Sequence, residues 1–368
     1  MTLSGPSFDL ERALAEILLA VQERLDELAH GAPGELAAVA LGGGYGRGEG
    51  GIFTAADGTK RLYNDLDFFV FMHPGVSRAR RRWWHAALKK VDDALTPRYG
   101  VEVEFGPPTG LDELDKLTPS LMYQELVRGM RPVWGDCPAV RRGIAELEWW
   151  RLPPSEGARL LLNRGAGLLL SVRKLEAREP EHDAAARDFV VRNIHKAALA
   201  VGDGWLLARG LYQFGLAARL DLLRHDPEFS RPALADYEAA VRFKFEPWPD
   251  PAPDLAERWR RVTALYLGAV ADYERLNPPA PPPAVGEILK NMLRHWLARL
   301  GGSWSDWLKH PRCRLQRILS GLLVDKLTKQ RYISDIDADR RTEAAASIGG
   351  RHGTDAEMLF LRGWRRFN

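Results

Sequence analysis

The chain reads as an α+β protein, with short strands and helices alternating in residues 1–148 and helical segments alone from Trp149 onward. Three observations lead there. Strand-length apolar runs stand at 36–41, at 68–72 and at 101–105, where Val101, Val103 and Phe105 alternate with Glu102 and Glu104. Helical periodicity fills 8–28 and 78–95 between and before them. Beyond Trp149 strand patterning fades, and apolar residues recur at helical spacing.

Residues 8–28 carry Leu10, Leu14, Ile17, Leu18, Val21 and Leu25 on one stripe, and Gly31 and Pro33 end the helix. The strand at 36–41 then runs into Gly42, Gly43 and Gly44, followed by Tyr45, Gly46, Arg47, Gly48 and Glu49. Glycine lets backbone N–H groups approach a phosphate with no Cβ in the way, so Gly43 and Gly44 are candidate nucleotide-binding residues. Arg47 can pair with phosphate, or it can anchor the turn to Glu49 or another acid. Gly46, Gly48 and Gly51 also match the spacing of a dinucleotide-binding turn. That motif needs a helix directly after its glycines, whereas a turn signal at Asp57-Gly58 follows here and the acids precede their strand. No Gly-Lys-Ser/Thr follows the glycines, which excludes a P-loop.

Asp65 and Asp67 open the next apolar run. Residues two apart in a strand project from one face, so both carboxylates point the same way with Leu66 behind them. Like charges that close call for a cation between them, and hard oxygen ligands suit Mg2+ or Mn2+. The plain alternative is an Asn-Asp turn at the start of a buried strand. Residues 78–95 form the next helix and carry Arg80, Arg81, Arg82, Trp83 and Trp84. Such a run can contact nucleic acid, or it can be a solvated basic face with a tryptophan in the core. Glu102 and Glu104 share one face of the strand that follows, and either can join the aspartates.

The glycine turn followed by an acid-x-acid strand resembles the DNA polymerase β-like nucleotidyltransferase superfamily. Within it, GGYGRGE is similar to the glycine motif of bacterial PII uridylyltransferases, although Asn64 replaces the usual serine and the 50–63 connector is longer, a hairpin turning at Asp57-Gly58. The run GVEVEFG is similar to the G-V-E-V-D segment of archaeal CCA-adding enzymes, which implies Glu104 as the third metal-binding carboxylate. The resemblance covers 36–104 specifically. It implies a small mixed-sheet nucleotidyltransferase module followed by all-helical domains, here 1–148, 149–277 and 284–368, the last after the proline-rich stretch 278–283.

The helical candidates are 158–177, 184–201, 206–224, 252–276, 285–300 and 313–327. In the second of them Val190, Ile194, Ala197 and Val201 face inward, while Arg192, His195 and Lys196 project together. In the resembled architecture a helical domain closes over the triphosphate, which would make Lys196 a nucleotide ligand; a solvated face explains the cluster equally well. Basic clusters at 309–317 and 362–366, with tryptophans nearby, suit an acceptor surface or a stabilising helical cap.

The formal charge of +3 demands neither nucleic acid nor an anionic membrane as partner. Cys137 and Cys313 make no disulfide framework, no apolar run reaches membrane-spanning length, and no leader-like start precedes the first helix, so a cytoplasmic location is expected. The expected activity is transfer of a nucleoside monophosphate from an NTP to an acceptor hydroxyl, with Asp65, Asp67 and Glu104 holding Mg2+ or Mn2+. A small-molecule or protein acceptor fits better than transfer RNA, and 368 residues leave no room for the extra domains of the PII-modifying enzymes. The alternative is a non-catalytic nucleotide-binding or scaffold protein that retains the fold.

Overall fold

The computed structural model describes residues 9–55, 57–248, 254–277, 290, 293–294, 310–329 and 353–367. The chain divides into two compact units. The first is Met1–Pro153 joined by Gln213–Ala218 and Val241–Pro249, and the second is Pro154–Tyr212, Arg219–Ala240 and Asp250–Asn368.

In the first unit Asp9 caps α1 (Leu10–Gly31) by accepting from the Glu11 and Arg12 N–H groups, and the expected stripe buries Leu14, Ile17, Val21 and Leu25. The elements that follow are β1 (Leu36–Leu41), a single helical turn α2 (Gly43–Gly46), β2 (Gly51–Thr54), β3 (Lys60–Tyr63) and β4 (Asp65–Met72). Then come α3 (Arg78–Tyr99), β5 (Glu102–Phe105), β6 (Thr109–Gly110), α4 (Leu121–Gly129), β7 (Arg131–Gly135) and α5 (Cys137–Gly143). The main sheet has the order β5–β4–β1–β7, and β6 also pairs with β4. It is mixed: β1 runs antiparallel to β4 and β7, whereas β5 and β6 run parallel to β4. Parallel neighbours cannot be joined by a tight turn, and α3 is the crossover between β4 and β5.

The two faces of the sheet bury different cores. Leu66, Phe68 and Val70 pack with Leu14, Val21 and Leu25 of α1, Trp84, Leu88 and Leu95 of α3, and Val103 and Phe105 of β5. Phe69 and Phe71, of opposite parity, pack with Ala38, Ala40, Leu126, Val127, Met130, Val140 and Ile144. Asp65 and Asp67 belong to this second face, at the end of the strand where apolar cover stops.

The basic, tryptophan-bearing stretch of α3 is committed largely to structure. Trp84 is fully buried and its indole N–H donates to Glu35 at 2.8 Å. Arg80 forks onto the same carboxylate, and Arg81 pairs with Glu113 at 2.6 Å. Trp83 stays exposed, with the Arg80 guanidinium over its ring.

Strand β7 has no counterpart in the sequence reading, which anticipates only a helix and a Gly-Asp turn across 122–136. Pro132 masks the strand signal and is tolerated because β7 lies at the sheet edge, paired with β1 alone. Residues 206–224 do not form one helix. Gly210 and Gly215 take left-handed φ values of 68° and 89°, and they separate α8 (Ala184–Ala208) from α9 (Leu216–His225).

The second unit is helical, built from α6 (Pro154–Glu176), α7 (Glu179–His182), α8, α11 (Leu255–Leu276), α12 (Pro311–Lys329) and α13 (Gly353–Phe367), with the greater part of α9 and of α10 (Arg231–Phe245). Helices α6, α8 and α11 form its centre, where the Trp259 indole donates to the Leu168 carbonyl and the Tyr266 hydroxyl to that of Leu161. The sequence expectation places divisions at 148/149 and before residue 284, and these two units divide the chain differently. The first unit extends to Pro153, and α12 joins the second unit through Gln316 to Tyr266 at 3.2 Å and Lys326 to Glu176 at 2.7 Å. The proline-rich stretch 278–283, and the helix expected at 285–300 apart from residues 290 and 293–294, lie outside the described residues.

Replacing Trp84 by Phe removes the indole donor from Glu35 and leaves the core otherwise apolar. Denaturant unfolding of Trp84→Phe should show a loss of about 1–3 kcal/mol, and a change within 0.5 kcal/mol would mean that Arg80 alone satisfies Glu35.

Candidate functional site

The parallel register of β4 and β5 places Asp65 opposite Glu102 and Asp67 opposite Glu104. All four carboxylates share a face, since paired residues of neighbouring strands project to the same side. Of the two glutamates, Glu104 converges with the aspartates: Asp65, Asp67 and Glu104 each offer a ligand oxygen, and these atoms lie within 4.8 Å of one another. Both aspartates are half-buried and Glu104 is exposed. Three oxygen donors at this spacing, open on one side to solvent, could hold a metal ion.

Asn64 holds the carboxylate of Asp65. It has a left-handed φ of 77°, a conformation asparagine tolerates better than most residues, and its side-chain amide donates to Asp65. On the other side of the site, the Gly42 N–H donates to the Asp67 carbonyl at 2.8 Å and ties the end of β1 to β4. Gly43 is left-handed, with φ 58°, and a Cβ there would collide with the Asp67 carboxylate. The first glycine is thus required by the aspartate beside it.

The 50–63 connector is a hairpin of β2 and β3, paired from Gly51↔Tyr63 to Thr54↔Lys60. Its turn uses Asp57 and Gly58: the Asp57 carboxylate accepts from the Thr59 N–H, and Gly58 has a φ of 83°. Sequence reasoning missed Tyr45, the residue that secures this hairpin to the glycine turn. Buried to 3% exposure, its hydroxyl donates to the Gly51 carbonyl at 2.7 Å and accepts from the Tyr63 N–H at 2.8 Å. Burial pushes its pKa up to about 12, and the Asp65 charge adds to the effect.

Arg47 anchors the turn. Its guanidinium pairs with Glu49 at 3.1 Å and Glu125 at 2.9 Å, the anchoring contact expected as the alternative to a phosphate role. Glu49, itself buried, also accepts from the Leu216 N–H at 2.6 Å and binds the 213–218 segment to the glycine turn.

A lysine absent from the sequence reading reaches the site instead. Lys244, near the end of α10, belongs to the first unit. A Cβ on Gly44 would stand 2.6 Å from its Nζ. Burial lowers the Lys244 pKa and the Arg47 charge lowers it further, against the opposing pull of Asp65, Glu49 and Asp67. Nothing in sequence could place residue 244 beside residue 44, because the signal is a close approach of backbone and amine.

Lys196 belongs to the second unit, on α8, and is half-buried. Its expected companions do not form an open basic face with it. His195 is buried, with its Nε2 3.1 Å from Arg258 Nη2, and burial and the Arg258 charge lower its pKa to about 3. Arg192 pairs with Asp188 at 2.9 Å.

No protein-family model matches the chain, and no curated protein gives a significant match. Among the described residues no helix is long and apolar enough to cross a membrane, and both cysteines are free, Cys137 buried and Cys313 partly so.

The Tyr45 hydroxyl loses its proton less readily in the folded chain than in the unfolded one, so the folded state binds more protons between about pH 10 and 12 and is destabilised as pH rises through that window. The stability advantage of wild type over Tyr45→Phe should therefore shrink by about 2 kcal/mol across it. Urea denaturation of both proteins from pH 9 to 12 measures this, and a constant difference would remove Tyr45 from the hairpin latch.

Proposed function

We propose that the protein is a metal-dependent nucleotidyltransferase, moving a nucleoside monophosphate from an NTP to an acceptor hydroxyl. The observation that carries this is the convergence of Asp65, Asp67 and Glu104 beside a glycine turn that a lysine amine overhangs. A site for a triphosphate on divalent ions needs those parts: clustered carboxylates, backbone N–H groups open to an anion, and a cationic side chain for the outer phosphates. Asp65, Asp67 and Glu104 would hold Mg2+ or Mn2+, which when bound offsets negative charge on the attacking and departing oxygens.

The chain's own residues account for the remainder. Gly43 and Gly44 leave the turn without side chains, so the triphosphate can approach the backbone. Lys244, whose amine lies beside Gly44, suits the β and γ phosphates; a polyanion beside it would favour its protonated form, against the lowering by burial. Glu104, the exposed member of the trio, faces the solvent from which an acceptor arrives and takes the hydroxyl proton. The acceptor oxygen forms a bond to the α-phosphorus, the bond from that phosphorus to the β-bridging oxygen breaks, and pyrophosphate leaves with the electron pair. A small molecule or a protein is the acceptor class proposed, with Arg80 and Arg81 of the basic stretch already engaged by Glu35 and Glu113.

Incubation of the pure protein with each radiolabelled NTP and Mg2+ or Mn2+, against a metabolite set, cell lysate and a transfer RNA pool, should move label into one fraction. Asp67→Asn should lower the rate by about a thousandfold, the scale of several kcal/mol of charge stabilisation. Glu104→Gln should lose far more activity than Glu102→Gln. Label transfer that survives Asp67→Asn would refute the site, and nucleotide binding without any transfer would indicate a non-catalytic binding protein.

A further inference from the structure

Lys244, in the last turn of α10, lies where that helix meets the β2–β3 hairpin. Its neighbour Phe243 meets the Tyr63 ring edge-on at 5.9 Å and the Trp248 ring at 5.3 Å, and Tyr63 stacks on Phe53 at 6.1 Å. The Arg61 guanidinium covers Phe53 at 4.9 Å. The four rings form a small apolar cluster in which the hairpin supplies two and the 243–248 segment supplies two. Beneath it the backbones touch: a Cβ on Gly51 would stand 2.6 Å from the Lys244 carbonyl oxygen and 3.3 Å from Pro247 Cδ. Gly51 therefore sets how closely the segment approaches, and Gly44 leaves room for the amine at its other end. Gly51, the last glycine of the run whose spacing imitates a dinucleotide motif, and Gly44 both make room for the same lysine.

We propose that the β2–β3 hairpin is the positioning element for Lys244, so that Phe243 and Tyr63 set affinity for the outer phosphates without touching them. This rests on the nucleotidyltransferase reading and gives the long connector a task at the phosphate end of the site. Lys244 would be the group that meets phosphate, and Phe243, Tyr63 and Gly51 the residues that aim it.

The test uses the full chain, with inorganic tripolyphosphate in the presence of a metal chelator as one probe and Mn2+ alone as the other, both by titration calorimetry. Lys244→Ala should weaken tripolyphosphate binding about tenfold, the scale of one hydrogen bond to a charged group. Phe243→Ala and Tyr63→Leu should each approach that loss, the double Phe243→Ala/Lys244→Ala should lose no more than Lys244→Ala alone, and Tyr63→Phe should retain wild-type affinity. Mn2+ affinity should stay within twofold in all of these while Asp67→Asn abolishes it, which also reports that each variant is folded at the site. Unchanged tripolyphosphate affinity in Phe243→Ala and Tyr63→Leu, or fully additive losses in the double variant, overturns the positioning role. Loss of Mn2+ binding in the hairpin variants also overturns it, because the hairpin would then support the acids. Should wild type fail to bind Mn2+ at all, the metal-site reading fails instead, and the tripolyphosphate comparison still decides the role of the hairpin.

Discussion

Three carboxylates whose ligand atoms lie within 4.8 Å of one another repel unless a cation lies among them, and the first unit is organised to hold them there. The requirement falls on one pairing, the parallel register of Asp67 with Glu104. A slip of one residue would turn Glu104 to the opposite face and bring Val103 or Phe105 into its place. The register is resisted from behind, where Leu66, Phe68, Val103 and Phe105 are buried in a single core with α1 and α3, so that moving the acids would expose that core. Hydrophobic burial on one face thus supplies the free energy that keeps like charges together on the other.

Around that fixed strand, the glycine turn is shaped as much by the protein as by any ligand. Gly43 yields space to the Asp67 carboxylate, Gly44 to the Lys244 amine and Gly51 to the Lys244 carbonyl. Arg47 and Glu49 form a buried ion pair that also reaches Glu125 and the Leu216 backbone, and Tyr45 joins turn to hairpin. Paired buried charges of this kind are costly to break singly, which suits them to holding a loop whose backbone must stay open. The same segment therefore carries open backbone at its start and structural anchors from Tyr45 to Glu49.

Much of this was legible residue by residue. The stripe of α1, the strand at Leu36–Leu41, the aspartate pair opening β4 and the hairpin turn at Asp57-Gly58 all follow from local periodicity or turn chemistry, and each occurs as read. Glu102 and Glu104 were equivalent by alternation, and the structure distinguishes them by distance. Strand β7 escaped notice because Pro132 and Gly135 suppress strand propensity, while its pairing with β1 is a tertiary fact. Arg192, His195 and Lys196 share helical spacing, whereas periodicity does not show that His195 is buried against Arg258.

Sequence alone determined which chemistry this chain can support, because carboxylates two apart on a strand must share a face and glycines in series must leave backbone uncovered. Tertiary structure alone decided which groups complete that site. Lys244 lies 200 residues from Gly44 along the chain, and its approach depends on an aromatic cluster and two absent Cβ atoms. Arg47 meets Glu125, an acid no local pattern connects to it. Covalent spacing governs what lies within a few residues, whereas long-range packing governs which distant charges meet, and the approach of Lys244 to the glycine turn is the second kind of choice.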